Sequence, residues 1–339
     1  MQSAMFGSAV LRHTTMPHAA GTPHAAPARR AAAPCQRAAP RARPVASSSG
    51  NVESAERRDT TLTGPPPQKF AVAEGQLLNI ASAAFAAAAR GGCGAFAAGY
   101  SSSVVKAAPG DETRYSVAAL PFGYRLEERS AVTSFPRPAQ PLVIYDLHGC
   151  PFCRKVREAV SILDLEVLFL PCPRDGPTWR PEAKAKSGKS QFPLLLDPNN
   201  GTQMLESDDI VAYLFATYGD GKVPLGLRLP LGLTAITAGL GMLPRAGRGS
   251  KYVPAARPAL PLEFWQYEAS PFCVVVREVL SELELAHVQF SVARGSPRRQ
   301  VLFEQRGHFQ APFLSDPNTG VAMFESADII AYLKKTYAA

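Results

Sequence analysis

The sequence predicts a mixed α/β fold that occurs twice, as two tandem units that each hold a four-stranded mixed sheet with flanking helices. The first observation behind this prediction is an internal repeat, because residues 142–218 align with residues 262–337. The second is that each copy alternates short apolar runs with helical patterns in the order β-α-β-α-β-β-α. A chain of 339 residues has room for two such units and for additional segments.

The two copies share short motifs in the same order along the chain. Chance does not produce so many ordered matches, so we interpret the copies as one domain present twice. The shared motifs are Pro-Phe-Cys (151–153 and 271–273), Val-Arg-Glu (156–158 and 276–278), Asp-Pro-Asn (197–199 and 316–318), Glu-Ser (206–207 and 325–326) and Ala-Tyr-Leu (212–214 and 331–333).

Each unit is expected to begin with an apolar strand, residues 142–145 or 262–265, that leads into an amphipathic helix. A second strand follows at residues 166–170 or 286–290, and then a polar stretch with a further helix. The helix after the first strand is expected to turn these side chains inward: Phe152, Val156, Val160 and Leu163 in the first copy, and Phe272, Val276, Val279 and Leu283 in the second.

The end of each unit is predicted to be a hairpin followed by a helix. Pro193 or Pro312 opens a short strand, and Asp-Pro-Asn-x-Gly supplies the turn into the next strand. Ser207 or Ser326 is predicted to be the N-cap of the last helix, because a serine hydroxyl accepts a hydrogen bond from a free backbone N–H group there.

The first fifty residues are predicted to be an organelle transit peptide and not part of the fold. They contain six arginines and no Asp or Glu. An Arg-rich, acid-poor segment is typical of such a leader, whereas a secretory signal needs a continuous apolar region. The alternative is a disordered Ala/Pro tail.

The positive charge of the chain belongs mostly to this leader. The net charge is +8, from 36 basic and 28 acidic residues, so removal of six arginines leaves about +2. We therefore do not expect a nucleic-acid partner. The six cysteines are scattered apart from one close pair, which indicates a reducing compartment and not a disulfide framework.

Two apolar segments outside the repeats are interpreted as packing segments. Residues 77–100 are rich in Ala and predict one or two helices, and residues 223–243 contain prolines and glycines that argue against a straight membrane span. Peripheral association with a membrane stays open. The predicted organisation is a transit peptide (1–50), a linker with an Ala-rich helical segment (51–136), the first domain (137–220), an interdomain segment (221–256) and the second domain (257–339).

Cys150 and Cys153 form a Cys-Pro-Phe-Cys motif between the first strand and the first helix of copy one. With Cys150 at the N-cap, Pro151 falls at the first helical position, where its missing N–H costs nothing. Free N–H groups, the helix dipole and the basic residues Arg154, Lys155 and Arg157 are all expected to lower a thiol pKa there. This arrangement indicates redox or glutathione chemistry.

Together these motifs resemble glutaredoxins and the thioredoxin-fold N-terminal domain of glutathione transferases. The resemblance covers each copy in full, and the tandem arrangement behind a transit-like leader is similar to plastid proteins of plants and algae. It implies a thioredoxin-like fold, localisation in the chloroplast, in the stroma or at the thylakoid, with the mitochondrion as the alternative, and glutathione as co-substrate. From the residues given, we expect no all-helical domain of the transferase kind after either copy, which argues against a full transferase activity.

The resemblance also implies roles for particular residues. Cys150 matches the nucleophile and Cys153 the resolving thiol. Pro193 and Pro312 match the cis-proline, and the residue before each offers its backbone to the cysteine of glutathione. The Glu-Ser pairs match the residues that hold the γ-glutamyl end. The implied glutathione-binding residues are Phe192, Pro193, Glu206 and Ser207 in copy one, and Ala311, Pro312, Glu325 and Ser326 in copy two.

Copy two departs from the pattern where Ser270 stands in place of Cys150. This copy therefore lacks the attacking thiol. Three interpretations follow: a degenerate scaffold domain, a glutathione-binding domain, or a transferase-like site in which the Ser270 hydroxyl stabilises the thiolate of glutathione.

No metal site is expected, because one Cys-x-x-Cys pair and His148 do not supply four ligands. An iron–sulfur cluster shared between two protomers stays a minor alternative. The leading hypothesis is a glutathione-linked thiol–disulfide oxidoreductase that acts on protein disulfides or glutathionylated proteins. The alternatives are glutathione conjugation or isomerisation through Ser270 or Cys150, and a non-catalytic glutathione-binding or assembly protein.

Overall fold

The computed structural model describes residues 60–68, 71–108, 110, 114–230 and 232–339. The predicted transit peptide lies outside these residues. The strands are β1 (Thr61–Leu62), β2 (Ser101–Lys106), β3 (Ala119–Leu120), β4 (Tyr124–Arg129), β5 (Leu142–Asp146), β6 (Glu166–Pro171), β7 (Leu194–Asp197), β8 (Thr202–Met204), β9 (Leu262–Gln266), β10 (His287–Ser291), β11 (Phe313–Asp316) and β12 (Val321–Phe324). The helices are α1 (Leu77–Ala89), α2 (Pro151–Ile162), α3 (Trp179–Ser187), α4 (Ser207–Tyr218), α5 (Leu233–Met242), α6 (Pro271–Glu282), α7 (Arg298–Arg306) and α8 (Ser326–Tyr337).

Both copies of the repeat have the predicted element order, and each contributes four strands to one mixed sheet. Copy one holds its strands in the order β6-β5-β7-β8, and copy two holds the equivalent strands in the order β10-β9-β11-β12. In each copy the second strand is parallel to the first, and the third and fourth are antiparallel to their neighbours. The predicted mixed α/β fold is confirmed.

The two sheets are joined edge to edge, which the sequence did not predict. Strand β10 pairs antiparallel with β6, with His287 opposite Phe169 and Phe290 opposite Glu166. With β1 added parallel to β12, the result is a nine-stranded sheet. The physical reason is that β6 and β10 are edge strands of their own copies, and pairing satisfies their outward N–H and C=O groups.

Helices cover both faces of this sheet. In copy one, α2 and α4 pack on one face over a core that includes Leu142 and Ile144, while α3 covers the other face with Trp179 against Tyr145 and Leu194. Copy two repeats this arrangement with α6 and α8 on one face and α7 on the other. Successive residues of a strand point to opposite faces of the sheet, so each central strand contributes side chains to the cores on both faces.

One predicted core residue of α2 is not in the core. Val156, Val160 and Leu163 are buried as expected, but Phe152 is 49 % exposed. Helical spacing puts Phe152 on the same face as Val156, yet Val156 is the first residue of α2 that reaches the apolar cluster. In the first turn it is Cys153, fully buried with Tyr145 and Leu194, that packs on the sheet, and Phe152 beside it is left partly exposed to solvent.

The segment between the copies packs against other helices, as predicted. Helix α5 lies between α1 and α2, and α1 also contacts α6. In the described part of the chain, no helix combines the length and apolar character needed to cross a membrane. A separate three-stranded sheet, in the order β2-β4-β3, precedes copy one.

A buried ion cluster links the two copies at their junction. The Arg157 guanidinium donates to both oxygens of Asp146 at 2.8 Å and to Glu268 of copy two at 3.1 Å. Arg277, the repeat equivalent of Arg157, lies 2.9 Å from the same Glu268 carboxylate. Burial alone raises the pKa of Glu268, but Arg157, Arg277 and Arg154 outweigh it and lower that pKa. The carboxylate therefore stays charged between cations from both copies.

Each copy also contains a buried aspartate that ties its last helix to its hairpin. The Asp197 carboxylate accepts hydrogen bonds from the hydroxyls of Tyr213 and Tyr218 and from Asn199. Asp316 has the equivalent partners in copy two. Burial raises the pKa of Asp197, but the three partners together lower it below its ordinary value.

We predict that Asp197→Asn destabilises the fold by about 1–3 kcal/mol at pH 7, because charge-assisted hydrogen bonds are lost. Because the pKa of Asp197 is lower in the folded than in the unfolded protein, its charged carboxylate stabilises the fold at pH values above about 4, the pKa of an unfolded Asp. This stabilisation is lost as the pH falls through the folded-state pKa. The difference between wild type and variant should therefore shrink towards pH 3. Urea unfolding at both pH values measures it.

The matched control is Asp209→Asn on the exposed face of α4, for which we expect less than about 0.5 kcal/mol. A pH-independent difference for Asp197→Asn would contradict the role assigned to its charge.

Candidate functional site

Cys150 is the N-cap residue of α2, and Pro151 occupies the first helical position, as the sequence predicts. The Cys150 side chain is half-buried, and its Sγ lies 3.9 Å from the carbonyl oxygen of Phe192. The loop after β5 delivers Cys150 to this position, with its N–H bonded to the carbonyl of Leu147. The thiol thus lies where strand β5 ends and a helix begins, with its backbone held on both sides.

The pKa of the Cys150 thiol is lowered to about 7. Hydrogen bonding with the Cys153 thiol is the largest cause, and the backbone N–H groups of Cys153 and Phe152 add to it, whereas burial acts in the opposite direction. These donors stabilise the thiolate, which is the nucleophilic form. Near neutral pH a substantial fraction of Cys150 is therefore a thiolate.

Cys153 has the opposite character. Its side chain is fully buried, and burial together with the Cys150 thiolate raises its pKa well above the ordinary value. The backbone N–H of Leu147 donates to its Sγ at 3.5 Å. One accessible, acidic thiol and one buried, protonated thiol therefore face each other at the start of α2.

The basic residues of α2 do not activate Cys150 as the sequence predicted. Arg154 pairs with Glu158 at 3.2 Å, Lys155 pairs with Asp208, and Arg157 pairs with Asp146. All three cations are buried in these pairs and are absent from the main causes of the lowered pKa. They are structural because each one is neutralised by a carboxylate: Glu158 lies one helical turn from Arg154, whereas the partners of Lys155 and Arg157 lie outside α2.

The expected glutathione-binding residues of copy one gather beside Cys150. The Phe192–Pro193 peptide bond is cis, as predicted, and both side chains are buried. Glu206 is exposed and accepts a hydrogen bond from the Gln191 side-chain amide at 2.7 Å. Gln191 was missed by sequence reasoning, although Gln310 stands at the equivalent place in copy two and the repeat itself carries this signal.

The N-caps of the last helices are one residue earlier than predicted. Glu206 and Glu325 are the N-cap residues, and Ser207 and Ser326 are the first helical residues. Neither helix has a hydrogen bond from the cap side chain. The backbone N–H groups of these first turns therefore have no side-chain cap to satisfy them, which suits a bound carboxylate.

Copy two assembles the same frame but blocks it in two places. Ser270 is 2 % exposed, and its hydroxyl accepts a hydrogen bond from the Cys273 N–H at 3.3 Å, as an ordinary N-cap does. The Ala311–Pro312 bond is cis, as predicted. Glu325 accepts a hydrogen bond from the backbone N–H of Gln68 at 2.8 Å, so the chain's own amino-terminal segment reaches its carboxylate.

The other described cysteines are poor nucleophiles. Burial is the main cause that raises the pKa of Cys93 to about 12, of Cys273 to about 11, and of Cys172 further still. All described cysteines are unpaired thiols. Within the part of the chain that the structure describes, no three His, Cys, Asp or Glu side chains are grouped as a metal site requires.

Comparison with known proteins finds similarity in both copies of the repeat. Residues 144–222 and 264–339 match the family model "Glutathione S-transferase, N-terminal domain". A glutathione transferase of Bombyx mori is 29% identical over 25% of this chain and 38% of its own length, with a TM-score of 0.22. The trimeric glutathione transferase TDR1 of Leishmania is 14% identical over 57% of this chain and 68% of its own, with a TM-score of 0.24. No curated protein matches the sequence.

The resemblance to the thioredoxin-fold N-terminal domain of glutathione transferases is thus confirmed for two segments of the chain. The resemblance to glutaredoxins, the residue roles and the domain boundaries outside these segments stay predictions. The aligned part spans well under half of the Bombyx mori protein.

We predict that Cys150 is alkylated by iodoacetamide with a midpoint near pH 7 and that Cys153→Ala raises this midpoint, because the variant removes the largest cause of the lowered pKa. The pH dependence of the alkylation rate, followed by mass spectrometry of the Cys150 peptide, measures both values.

Cys172→Ala is the control, since it also removes a buried thiol and leaves the Cys150–Cys153 contact in place. A wild-type midpoint near pH 9 would show that Cys150 is an ordinary thiol.

Proposed function

We propose that the protein is a glutathione-linked thiol–disulfide oxidoreductase of glutaredoxin type, with Cys150 as nucleophile and Cys153 as resolving thiol. The observation that carries this proposal is the asymmetry of the pair. Cys150 is accessible with a pKa of about 7, whereas Cys153 is buried with a raised pKa. This is the division of roles that thiol–disulfide exchange requires.

The first step is attack of the Cys150 thiolate on the glutathione sulfur of a glutathionylated protein. A bond forms between Cys150 Sγ and the glutathione sulfur, the disulfide of the substrate breaks, and the substrate leaves as a thiolate that takes a proton from water. A second glutathione thiolate then attacks the mixed disulfide, releases oxidised glutathione and restores Cys150. Each turnover thus consumes one free glutathione, and the glutathione that was attached to the substrate leaves with it as oxidised glutathione.

Cys153 provides a second route for protein disulfides. After attack by Cys150, the substrate is held as a mixed disulfide with Cys150. The Cys153 sulfur attacks Cys150 Sγ and its proton passes to the leaving substrate thiolate, which leaves an internal Cys150–Cys153 disulfide. Two glutathione molecules then reduce this disulfide and leave as oxidised glutathione. Burial of Cys153 disfavours its thiolate, so this route is expected to be the slower one for small glutathione disulfides.

Copy one also offers the contacts that glutathione needs. The Phe192 carbonyl, 3.9 Å from Cys150 Sγ, lies where it can pair with the backbone of the glutathione cysteine. The carboxylate of Glu206 and the first-turn N–H groups after Ser207 suit the ammonium and carboxylate of the γ-glutamyl group, respectively. The match to the glutathione S-transferase N-terminal domain supports glutathione as the ligand.

Conjugation or isomerisation through Ser270 is less well supported by the geometry. A serine that stabilises the thiolate of glutathione must donate its hydroxyl to an incoming sulfur. Ser270 is buried and serves as the helix cap of copy two, and Gln68 holds the Glu325 carboxylate. These contacts favour a scaffold role for copy two.

We also propose that residues 1–50 direct the protein to the chloroplast. The six arginines and the absence of acids in this segment support the proposal. Fusion of residues 1–50 to a fluorescent protein tests it, and mitochondrial fluorescence would support the alternative instead.

We predict that Cys150→Ser lowers the rate of glutathione-dependent reduction of a glutathionylated peptide at least about 100-fold, because the nucleophile is lost. Cys153→Ser should retain most of this activity but lose reduction of a protein disulfide that depends on the internal disulfide. Both rates are measured as the formation of oxidised glutathione, in an assay in which added glutathione reductase consumes this product.

Ser270→Ala is the matched control in copy two and should leave both rates unchanged. Equal rates for wild type and Cys150→Ser would contradict the proposal. Conjugation of an electrophile that survives Cys150→Ser and falls with Ser270→Ala would favour the transferase function, and glutathione binding without any turnover would favour a binding protein.

A further inference from the structure

A cavity of about 540 Å³ lies between the two copies and is separate from the Cys150 site. Its floor is formed by residues of α2, α6 and the loops before them, and its rim by α5, the loop that follows α5 and the loop after β6. None of the expected glutathione-binding residues lines it, although the neighbouring Gly149 does. Its volume is that of an ordinary small-molecule site.

The lining of this cavity is strongly cationic. Seven Arg and Lys side chains line it, against only Asp175 and Glu268 as acids. Three of the lining arginines also pair with carboxylates just behind the wall. When those three carboxylates are counted, at least two positive charges remain in excess. Four of the lining arginines are buried, each at most 5 % exposed: Arg154, Arg157 and Arg277 on the floor, and Arg245 in the loop after α5.

Several polar atoms on the floor have no hydrogen-bond partner among the described residues. Arg277 is 3 % exposed, and its Nε is unpartnered although its Nη1 donates to Gln266. Nδ1 of His148 and Oε1 of Glu268 are unpartnered as well. Arg277 and Glu268 are an ion pair at 2.9 Å, so the two charges are neutralised and single atoms, among them Arg277 Nε and Glu268 Oε1, lack a hydrogen-bond partner within the described part of the chain.

The mouth of the cavity is held in shape by backbone pairing between two loops. The Arg174 N–H donates to the Ser250 carbonyl at 2.7 Å, and the Tyr252 N–H donates to the Arg174 carbonyl at 2.9 Å. This pairing sets the exposed side chains of Arg174, Arg248 and Lys251 around the opening. Cations thus line both the opening and the floor.

We propose that this cavity binds a small phosphate monoester that also carries hydroxyl groups. A dianionic phosphate matches the excess of two positive charges, and guanidinium groups bind phosphate oxygens through paired N–H donors. A ligand hydroxyl donates to the acids of the lining, Asp175 at the mouth and Glu268, which no purely anionic ligand does. The site is independent of the thiol pair, so its test is independent of the proposed oxidoreductase activity.

The test uses glycerol 3-phosphate as probe, with glycerol and succinate for comparison, in calorimetric titrations of the full chain at low ionic strength. We expect glycerol 3-phosphate to bind and glycerol not to bind, since the phosphate supplies the charge. Succinate, with the same charge but no hydroxyl, should bind at least about tenfold more weakly.

Two double variants with equal loss of charge locate the site. Arg174→Gln/Lys251→Gln changes only exposed residues at the mouth, and it should weaken binding of glycerol 3-phosphate at least about tenfold. Lys184→Gln/Arg228→Gln changes exposed residues away from the cavity and should leave the affinity within about twofold of wild type. Arg277→Lys, which keeps the charge but removes Nε, should also weaken binding.

Three results would overturn the proposal. They are the absence of binding by wild type, equal weakening by both double variants, and succinate binding as tightly as glycerol 3-phosphate. Without added ligand, the Arg174→Gln/Lys251→Gln variant should reduce the glutathionylated peptide at the wild-type rate. A failure of the proposed oxidoreductase activity can therefore be distinguished from a failure of ligand binding in this cavity.

Discussion

The structure depends on the junction at which β6 of the first copy pairs with β10 of the second. This pairing turns two four-stranded sheets into one and brings α2 and α6 side by side on the same face. The side chains on the facing surfaces are charged, so they must neutralise one another out of contact with water. Glu268 does this by sharing its carboxylate with Arg157 and Arg277, one cation from each copy.

The duplication explains why the two copies keep the same frame and differ in their chemistry. Cores, cis-prolines and the aspartate that accepts from two tyrosines occur in both. At the start of the first helix, however, Cys150 is half-buried and acidic, whereas Ser270 is buried and caps the helix. Elements needed for folding are retained twice, because each copy must bury its own core, whereas the residues at the start of the first helix differ.

Local patterns predicted the element order of each copy and the position of Cys150 at a helix N-cap, and the family resemblance implied the cis peptide bonds. They were wrong where a partner distant in the sequence decides the outcome. Lys155 and Arg157 looked like activating charges, but Asp208 and Asp146, which lie outside α2, neutralise them. Phe152 has core spacing but is 49 % exposed, because Cys153 is the residue of the first turn that packs on the sheet.

The sequence by itself determined the repeat, the mixed α/β unit and the pair of thiols, because periodicity and short motifs are properties of neighbouring residues. Only the tertiary structure decided that the two sheets are continuous, that Cys153 is the buried and less acidic thiol, and that a cationic cavity lies between the copies. These features arise from pairs such as Arg157 and Glu268, 111 residues apart, whose contact no local pattern specifies.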